Sequence, residues 1–161
     1  MPAAVSAQPE RSIVRHIVVP FETRQPLEFV DVTVFLSLAV REAGLVDGVV
    51  VAQTRHTTTG LLIHEHEPLL LSDLEALFER LAPAAPAYAH DDFSRRTVNL
   101  TPGERRNGHA HCRAAFLRTS ESVAVVGGVL TLGRWQRVFL VDFDGGQHRE
   151  LSLMVMGTGK V

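Results

Sequence analysis

The sequence predicts an α+β fold. Two helical patterns lie among β-branched runs in the first part of the chain, the stretch from Ser122 onward reads mainly as strands, and no repeat or composition break divides the 161 residues. A chain of this length can bury a core of its own. The expected layout is a flexible tail over residues 1–11, rich in Ala, Ser, Pro and Gln, and a single domain over 12–161.

Taken in order, IVRHIVVPF (Ile13 to Phe21) reads as a strand that Pro20 ends or places at an edge. In DVTVFLSLAVREAG, Val32, Phe35, Leu36, Ala39, Val40 and Ala43 recur at helical spacing. Asp31 can accept from the free N–H groups of the first turn, and Gly44 can take the left-handed stop. GVVVAQTR (Gly48 to Arg55) and TGLLIHEH (Thr59 to His66) read as adjacent strands. A second helix is expected over LSDLEALFERLAP, with Ser72 and Glu75 as a capping box, Leu74, Leu77, Phe78 and Leu81 as the buried stripe, and Pro83 as its stop. Residues 82–106 form the least regular stretch, and a third helix can begin near His109 and run through CRAAFLR. SVAVVG, VLTLGRWQRVFLVDFD (one strand, or two bent near Gly133) and RELSLMVMG complete the chain as strands, with DFDGGQ as a hairpin-type turn before the last.

Composition excludes several classes. The formal net charge is −2 with the two signs interleaved, so neither a nucleic acid nor a membrane surface is the expected partner. The apolar runs fall well short of the roughly 20 residues that cross a bilayer. A lone cysteine, Cys112, cannot form an intramolecular disulfide, and MPAAVSAQPERS lacks the features of a signal peptide, so a reducing cytoplasm is expected.

Histidine carries the chemical signal: there are eight, and all but His16 lie between His56 and His148. His56 follows a predicted strand, where an imidazole can bind a metal, act as a base or hold an anion; a surface histidine beside turn-forming Thr57 and Thr58 fits equally. In HEHE, strand alternation puts His64 and His66 on one face and Glu65 and Glu67 on the other, which is two ligands of the three or four a metal needs. His90, in YAHDD, has Asp91 or Asp92 to orient it, or it lies in a solvated turn. On a helix, His109 and His111 of HAHC splay by roughly 200°, so HAHC does not converge on one ion. Cys112 is then a small buried hydrophobe on an apolar helix face. Trp135 reads as a core or subunit-interface residue. No C-x-x-C, H-E-x-x-H, G-x-S-x-G, Walker A or dinucleotide motif occurs.

HTTTGLLIHE, YAHDD, NGHAHCRAAFL and LGRWQRVFLVDFDGGQHR, in that order, resemble the YjbQ-like family of small trimeric proteins, some described as secondary thiamine-phosphate synthases. The resemblance runs from about Asp31 to Met156. It implies a two-layer, β-sandwich-like core with two to three helices, and a homotrimer assembled by sheet packing. It also implies a site of His56, Glu65, His90 and His111 at a subunit boundary, the three histidines holding a metal ion or an oxyanion, with Asn107, Arg113 and Arg149 as neighbouring ligand-binding groups. This chain departs from the family pattern where His64 replaces an asparagine, as an added ligand-binding group or only a change in the site's charge, and where Gln147 replaces an arginine; its polar insertion before Asn107 is also longer.

The activity implied is weak thiamine-phosphate synthase-type transfer on a small phosphorylated molecule, in which a departing pyrophosphate must be stabilised. A divalent metal would suit that task. A three-histidine ligand set favours Zn²⁺ over oxygen-loving Mg²⁺. Two other readings are a metal-dependent hydrolase with Glu65 as base, and a non-enzymatic trimeric module that binds an anion or a metal.

Overall fold

The first and last strands of the domain pair with each other along their whole length. In the computed structural model, which describes residues 10–85 and 87–160, β1 (Glu10–Glu22) runs antiparallel to β8 (His148–Lys160), with Glu22 opposite His148. The strand therefore starts within the expected tail, whose residues 1–9 lie outside the described ones. With β3 (Asp47–Thr54), β5 (Ser120–Val126) and β6 (Val129–Leu130) these strands make a five-stranded antiparallel sheet in the order β1-β8-β3-β5-β6. A second sheet, of three strands, has the order β2-β7-β4, from β2 (Glu28–Asp31), β7 (Gln136–Asp142) and β4 (Thr59–Glu65).

Period-two alternation sets the layers. On β8, Leu151, Leu153 and Val155 are fully buried, while Ser152, Met154 and Met156 between them are partly exposed. On β7 both faces are buried. Val138 and Leu140 join the core shared with the five-stranded sheet, and Phe139 and Val141 join a second core with Phe78 and Ala110. The three-stranded sheet is thus a middle layer, with α2 (Pro68–Leu81) and α3 (Gly108–Ala114) on its outer face. Removing a side chain such as Phe139 would cost about 3–5 kcal/mol, because the transfer loss and the cavity add.

The first helix, α1 (Thr33–Ala43), buries Leu36, Ala39, Val40 and Ala43 in the first core, with Phe35 packed at its edge. Gly44 ends it at φ 68°, the left-handed stop. Asp31 accepts the Thr33 N–H at 3.0 Å, although it closes β2, a strand the sequence pattern did not reveal.

Four expectations change. Strands β3 and β4 are not neighbours but belong to different sheets, because β3 buries one face, with Val50 and Ala52, in the first core, whereas β4 packs both faces, Leu61 in that core and Leu62 in the second. The DFDGGQ turn for the same reason joins the two sheets rather than closing a hairpin. Helix α2 begins at Pro68, where Glu67 accepts the N–H groups of Leu69 at 3.0 Å and Leu70 at 2.8 Å. That leaves Ser72 and Glu75 inside the helix, and of the expected stripe only Phe78 is buried, since Leu77 and Leu81 face outward. Cys112 is exposed, on the solvent side of α3, and Trp135 is exposed in a turn before β7, with the Arg134 guanidinium over its ring, which removes the core reading of Trp135 and leaves the subunit-interface one.

Candidate functional site

The end of β3, the start of β4, the end of β7 and the start of β8 lie together, since Thr54 pairs with Leu151 and Thr59 with Asp142. Here the β3–β4 turn and the β7–β8 turn meet the long connection between α2 and α3. Between them opens a cleft of about 550 Å³.

Its floor is an ion pair. The Arg149 Nε donates to Asp142 Oδ2 at 2.7 Å and its Nη2 to Asp142 Oδ1 at 2.8 Å. Nη2 also reaches Thr58 Oγ1 at 3.2 Å and the Asp144 carbonyl at 3.0 Å. Both members are buried, so this fork has geometric definition that an exposed pair lacks. Above it, Asp144 Oδ2 accepts from Asn107 Nδ2 at 2.8 Å and Gln147 Nε2 at 2.9 Å, and Arg105 pairs with Oδ1 at 3.3 Å. Those bonds orient the Asn107 amide and leave its Oδ1 buried without a partner.

His56 enters from the β3–β4 turn. Its Nε2 accepts the backbone N–H of Glu150 at 3.0 Å. A nitrogen that accepts a hydrogen bond carries no proton, so the neutral ring has its N–H at Nδ1. Burial, and then the charge of Arg149, hold the His56 pKa below its ordinary 6.5, which keeps the ring neutral.

The opposite wall comes from His90, on a 3-10 turn over Ala89–Asp91, and His111 on α3, their ring centroids 4.5 Å apart. His90 Nε2 is buried with no hydrogen bond, 4.0 Å from Glu104 Oε1. Burial, then the neighbouring His90, push the His111 pKa down. Arg96 and Glu104 pair with each other; Arg96 Nη2 also holds the Asn99 carbonyl at 2.7 Å, and Glu104 Oε2 accepts the Thr101 N–H at 3.0 Å. That last bond first, and Arg96 next, hold the Glu104 carboxyl below its usual range. The polar insertion before Asn107 is therefore a self-stapled loop that lines the cleft.

Asp91 and Asp92 do not orient His90, as expected from YAHDD. Asp91 Oδ1 instead accepts the N–H groups of Asn107 at 3.0 Å and Gly108 at 2.9 Å, and Asp92 bonds Ser94. Gly108 is where α3 meets Tyr88: a Cβ there would lie 2.5 Å from the Tyr88 Cβ.

Of the residues named from sequence, His56, His90, His111, Asn107 and Arg149 line this one cleft. His64 and Glu65 stand at the far end of β4, opposite Arg137 and Gln136. Six residues of extended chain separate Glu65 from Thr59, about 20 Å at 3.3 Å per residue. Arg113 is also elsewhere. It donates from Nε to the Ala82 carbonyl at 2.8 Å and pairs with Glu79, tying α3 to α2. His109 and His111 do splay apart, His109 facing other hollows with Tyr88 and Arg113 beside it.

The three cleft histidines fit a metal poorly. Among the described residues no three His, Cys, Asp or Glu side chains form a ligating group. The lone pair of His56 Nε2 is already used, and its Nδ1 carries the proton.

Residues that sequence reasoning missed are Arg55 and the threonines beside His56, the loop residues Arg96 and Glu104, and Asp144 with Gln147. HTTTG and DFDGGQHR contain four of these and were visible signals, and Arg55 directly precedes the first. The loop pair had no signal beyond the length of its segment.

The model of the family described as UPF0047 protein YjbQ-like matches residues 18–158. A UPF0047 protein of Archaeoglobus fulgidus is 35% identical over 135 residues, 84% of this chain and 96% of its own. One from Methanothermobacter thermautotrophicus is 30% identical over 138 residues, 86% and 89% of the two chains. Among solved structures, a protein of unknown function from Sulfolobus solfataricus described as YbjQ-like has a TM-score of 0.80 at 25% identity, covering 91% of this chain and 99% of its own. A yjbq/upf0047 family protein from Clostridium acetobutylicum, described as an uncharacterized conserved protein, has a TM-score of 0.75 at 28% identity, covering 86% and 99%.

Proposed function

The chain belongs to the YjbQ-like UPF0047 family, and on that premise we propose that its cleft binds a small phosphorylated molecule. The observation that carries this reading is the Glu150 N–H on His56 Nε2. It turns His56 from a candidate metal ligand into a hydrogen-bond donor, in a cleft that also holds Arg55 and, already paired with Glu104 and Asp142, the guanidinium groups of Arg96 and Arg149. A phosphoryl group, acceptor-only and anionic, is the ligand such donors suit.

The reaction assigned to the site is weak thiamine-phosphate synthase-type transfer. The thiazole nitrogen forms a bond to the pyrimidine methylene as the methylene C–O bond breaks, and the bonding pair leaves with pyrophosphate. Donors aimed at the departing oxygens would stabilise the developing charge. Incubation of the protein with pyrimidine pyrophosphate and thiazole phosphate tests the transfer: thiamine phosphate should form above background and fall with Arg55→Ala. Product that persists unchanged in that variant, or none at all, contradicts the assignment.

We place the protein as a homotrimer joined through the outer face of its five-stranded sheet. Across that face Val14, Met156, Val49 and Ala124 form one row, with Val126 and Val129 beyond, and Val14, Val126 and Val129 are each more than 60% exposed. A contiguous apolar face of this kind favours association. No described helix is long and apolar enough to cross a membrane; a reducing cytoplasm suits a chain whose one cysteine is exposed.

A further inference from the structure

We infer that His56 is a tautomer-locked donor, presenting Nδ1–H to an oxygen of the bound anion while Nε2 is held by the protein itself. The inference rests on the anion-binding reading and specifies how that site selects its ligand. Three observations carry it. The Glu150 N–H points at Nε2 at 3.0 Å. The turn fixes the residue from its backbone side as well, since the His56 N–H donates to Thr54 Oγ1 at 3.2 Å and the His56 carbonyl accepts from Thr59 Oγ1 at 3.2 Å. Finally, the buried side-chain atoms left without a partner among the described residues are His64 Nδ1, His90 Nε2 and Asn107 Oδ1. His56 Nδ1 is not one of them and takes no hydrogen bond among the described residues, so it is accessible to a ligand on a ring that lines the cleft.

The lock has a chemical consequence. A ring whose Nε2 accepts and whose Nδ1 donates offers the cleft no lone pair, so it can neither ligate a cation nor take a proton from a ligand in this arrangement. It rewards an acceptor. The ligand class that follows is an oxyanion, with a phosphoryl oxygen at Nδ1, and ligands that present an ammonium or hydroxyl hydrogen there are disfavoured.

Two substitutions separate the ring nitrogens. The amide nitrogen of Asn stands near the place of Nδ1, whereas the amide oxygen of Gln can reach the place of Nε2 and accept the Glu150 N–H. With inorganic pyrophosphate as the calorimetric probe, His56→Asn should bind within about threefold of the wild type but unfold at lower urea concentration. His56→Gln should keep its urea midpoint and bind about tenfold or more weakly, the scale of one hydrogen bond to a charged group. The reverse pattern overturns the inference, as does equal binding by both variants. Long-range proton–nitrogen NMR of the wild-type ring is a test that needs no variant: a protonated Nδ1 supports the lock, and a protonated Nε2 overturns it. Absence of pyrophosphate binding by the wild type would overturn the anion-binding reading, while the tautomer measurement still decides the lock separately.

Discussion

Arg149 grips Asp142 with two hydrogen bonds, Nε to Oδ2 at 2.7 Å and Nη2 to Oδ1 at 2.8 Å, in a pair sealed beneath the cleft. Asp142 is wholly buried and Arg149 is 4% exposed. Removing one partner leaves the other as an uncompensated buried charge, which typically costs 3–5 kcal/mol. Arg149→Met should therefore lower stability by about that amount in urea unfolding. A loss below about 1 kcal/mol would mean that the pair is not sealed.

Arg113 should behave differently from the cleft residues. Its guanidinium joins α3 to the Ala82 carbonyl and to Glu79 on α2, away from the anion site. Arg113→Ala should cost about 1.5–3 kcal/mol of stability, the range for hydrogen bonds to a charged group. Pyrophosphate affinity at a temperature where the variant is folded should be unchanged. A selective loss of affinity at full stability would restore Arg113 to the ligand site.

Stability should fall in two stages on acidification. His56, His109 and His111 are each held below their ordinary 6.5, first by burial. Between those lowered values and 6.5 the unfolded chain binds more protons, so stability present above 6.5 is lost as pH falls through the folded values. Glu67 and Glu104 are held below the ordinary 4.5 chiefly by backbone N–H donors, so their contribution is present above 4.5 and lost as pH falls through their own lowered values. Urea midpoints measured between about pH 8 and 3 should be flat near neutrality and then decline in these two windows. A midpoint that stays constant from about pH 6.5 to 5 contradicts the histidine part.

Self-association should depend on the outer sheet face. Val14 lies opposite Met156, which lies opposite Val49 on its other side. Met156→Glu puts a charge at the centre of that row and should convert a trimer to monomer in sedimentation velocity, with the far-ultraviolet circular dichroism preserved. A variant that remains trimeric places the interface elsewhere.

What the sequence revealed follows from the range of the interactions involved. Local signals were readable: Gly44 as the α1 stop, the stripe from Val32 to Ala43, and the splay of His109 from His111 all depend on residues within a few positions of one another. The start of α2 was displaced because Ser72 and Glu75 matched a capping box, while Glu67 supplied the cap before Pro68. Strand partners were misread because β3 and β4 are close in sequence but match different layers, a choice made by burial across the whole fold. The site was half legible. His56, His90, His111, Asn107 and Arg149 came together, but the separation of Glu65 and His64 along β4 and the roles of Arg96 and Glu104 depend on long-range packing and on a loop with no periodic pattern.

The claim that the cleft is an oxyanion site is tested most directly by calorimetric titration of the chelator-treated wild-type protein with inorganic pyrophosphate, set beside a titration with Zn²⁺. The account predicts saturable pyrophosphate binding that survives removal of metal and weakens with rising salt, since charge attraction contributes to it. Stoichiometric Zn²⁺ binding lost in His56→Ala, together with no pyrophosphate binding in the metal-free protein, would contradict it.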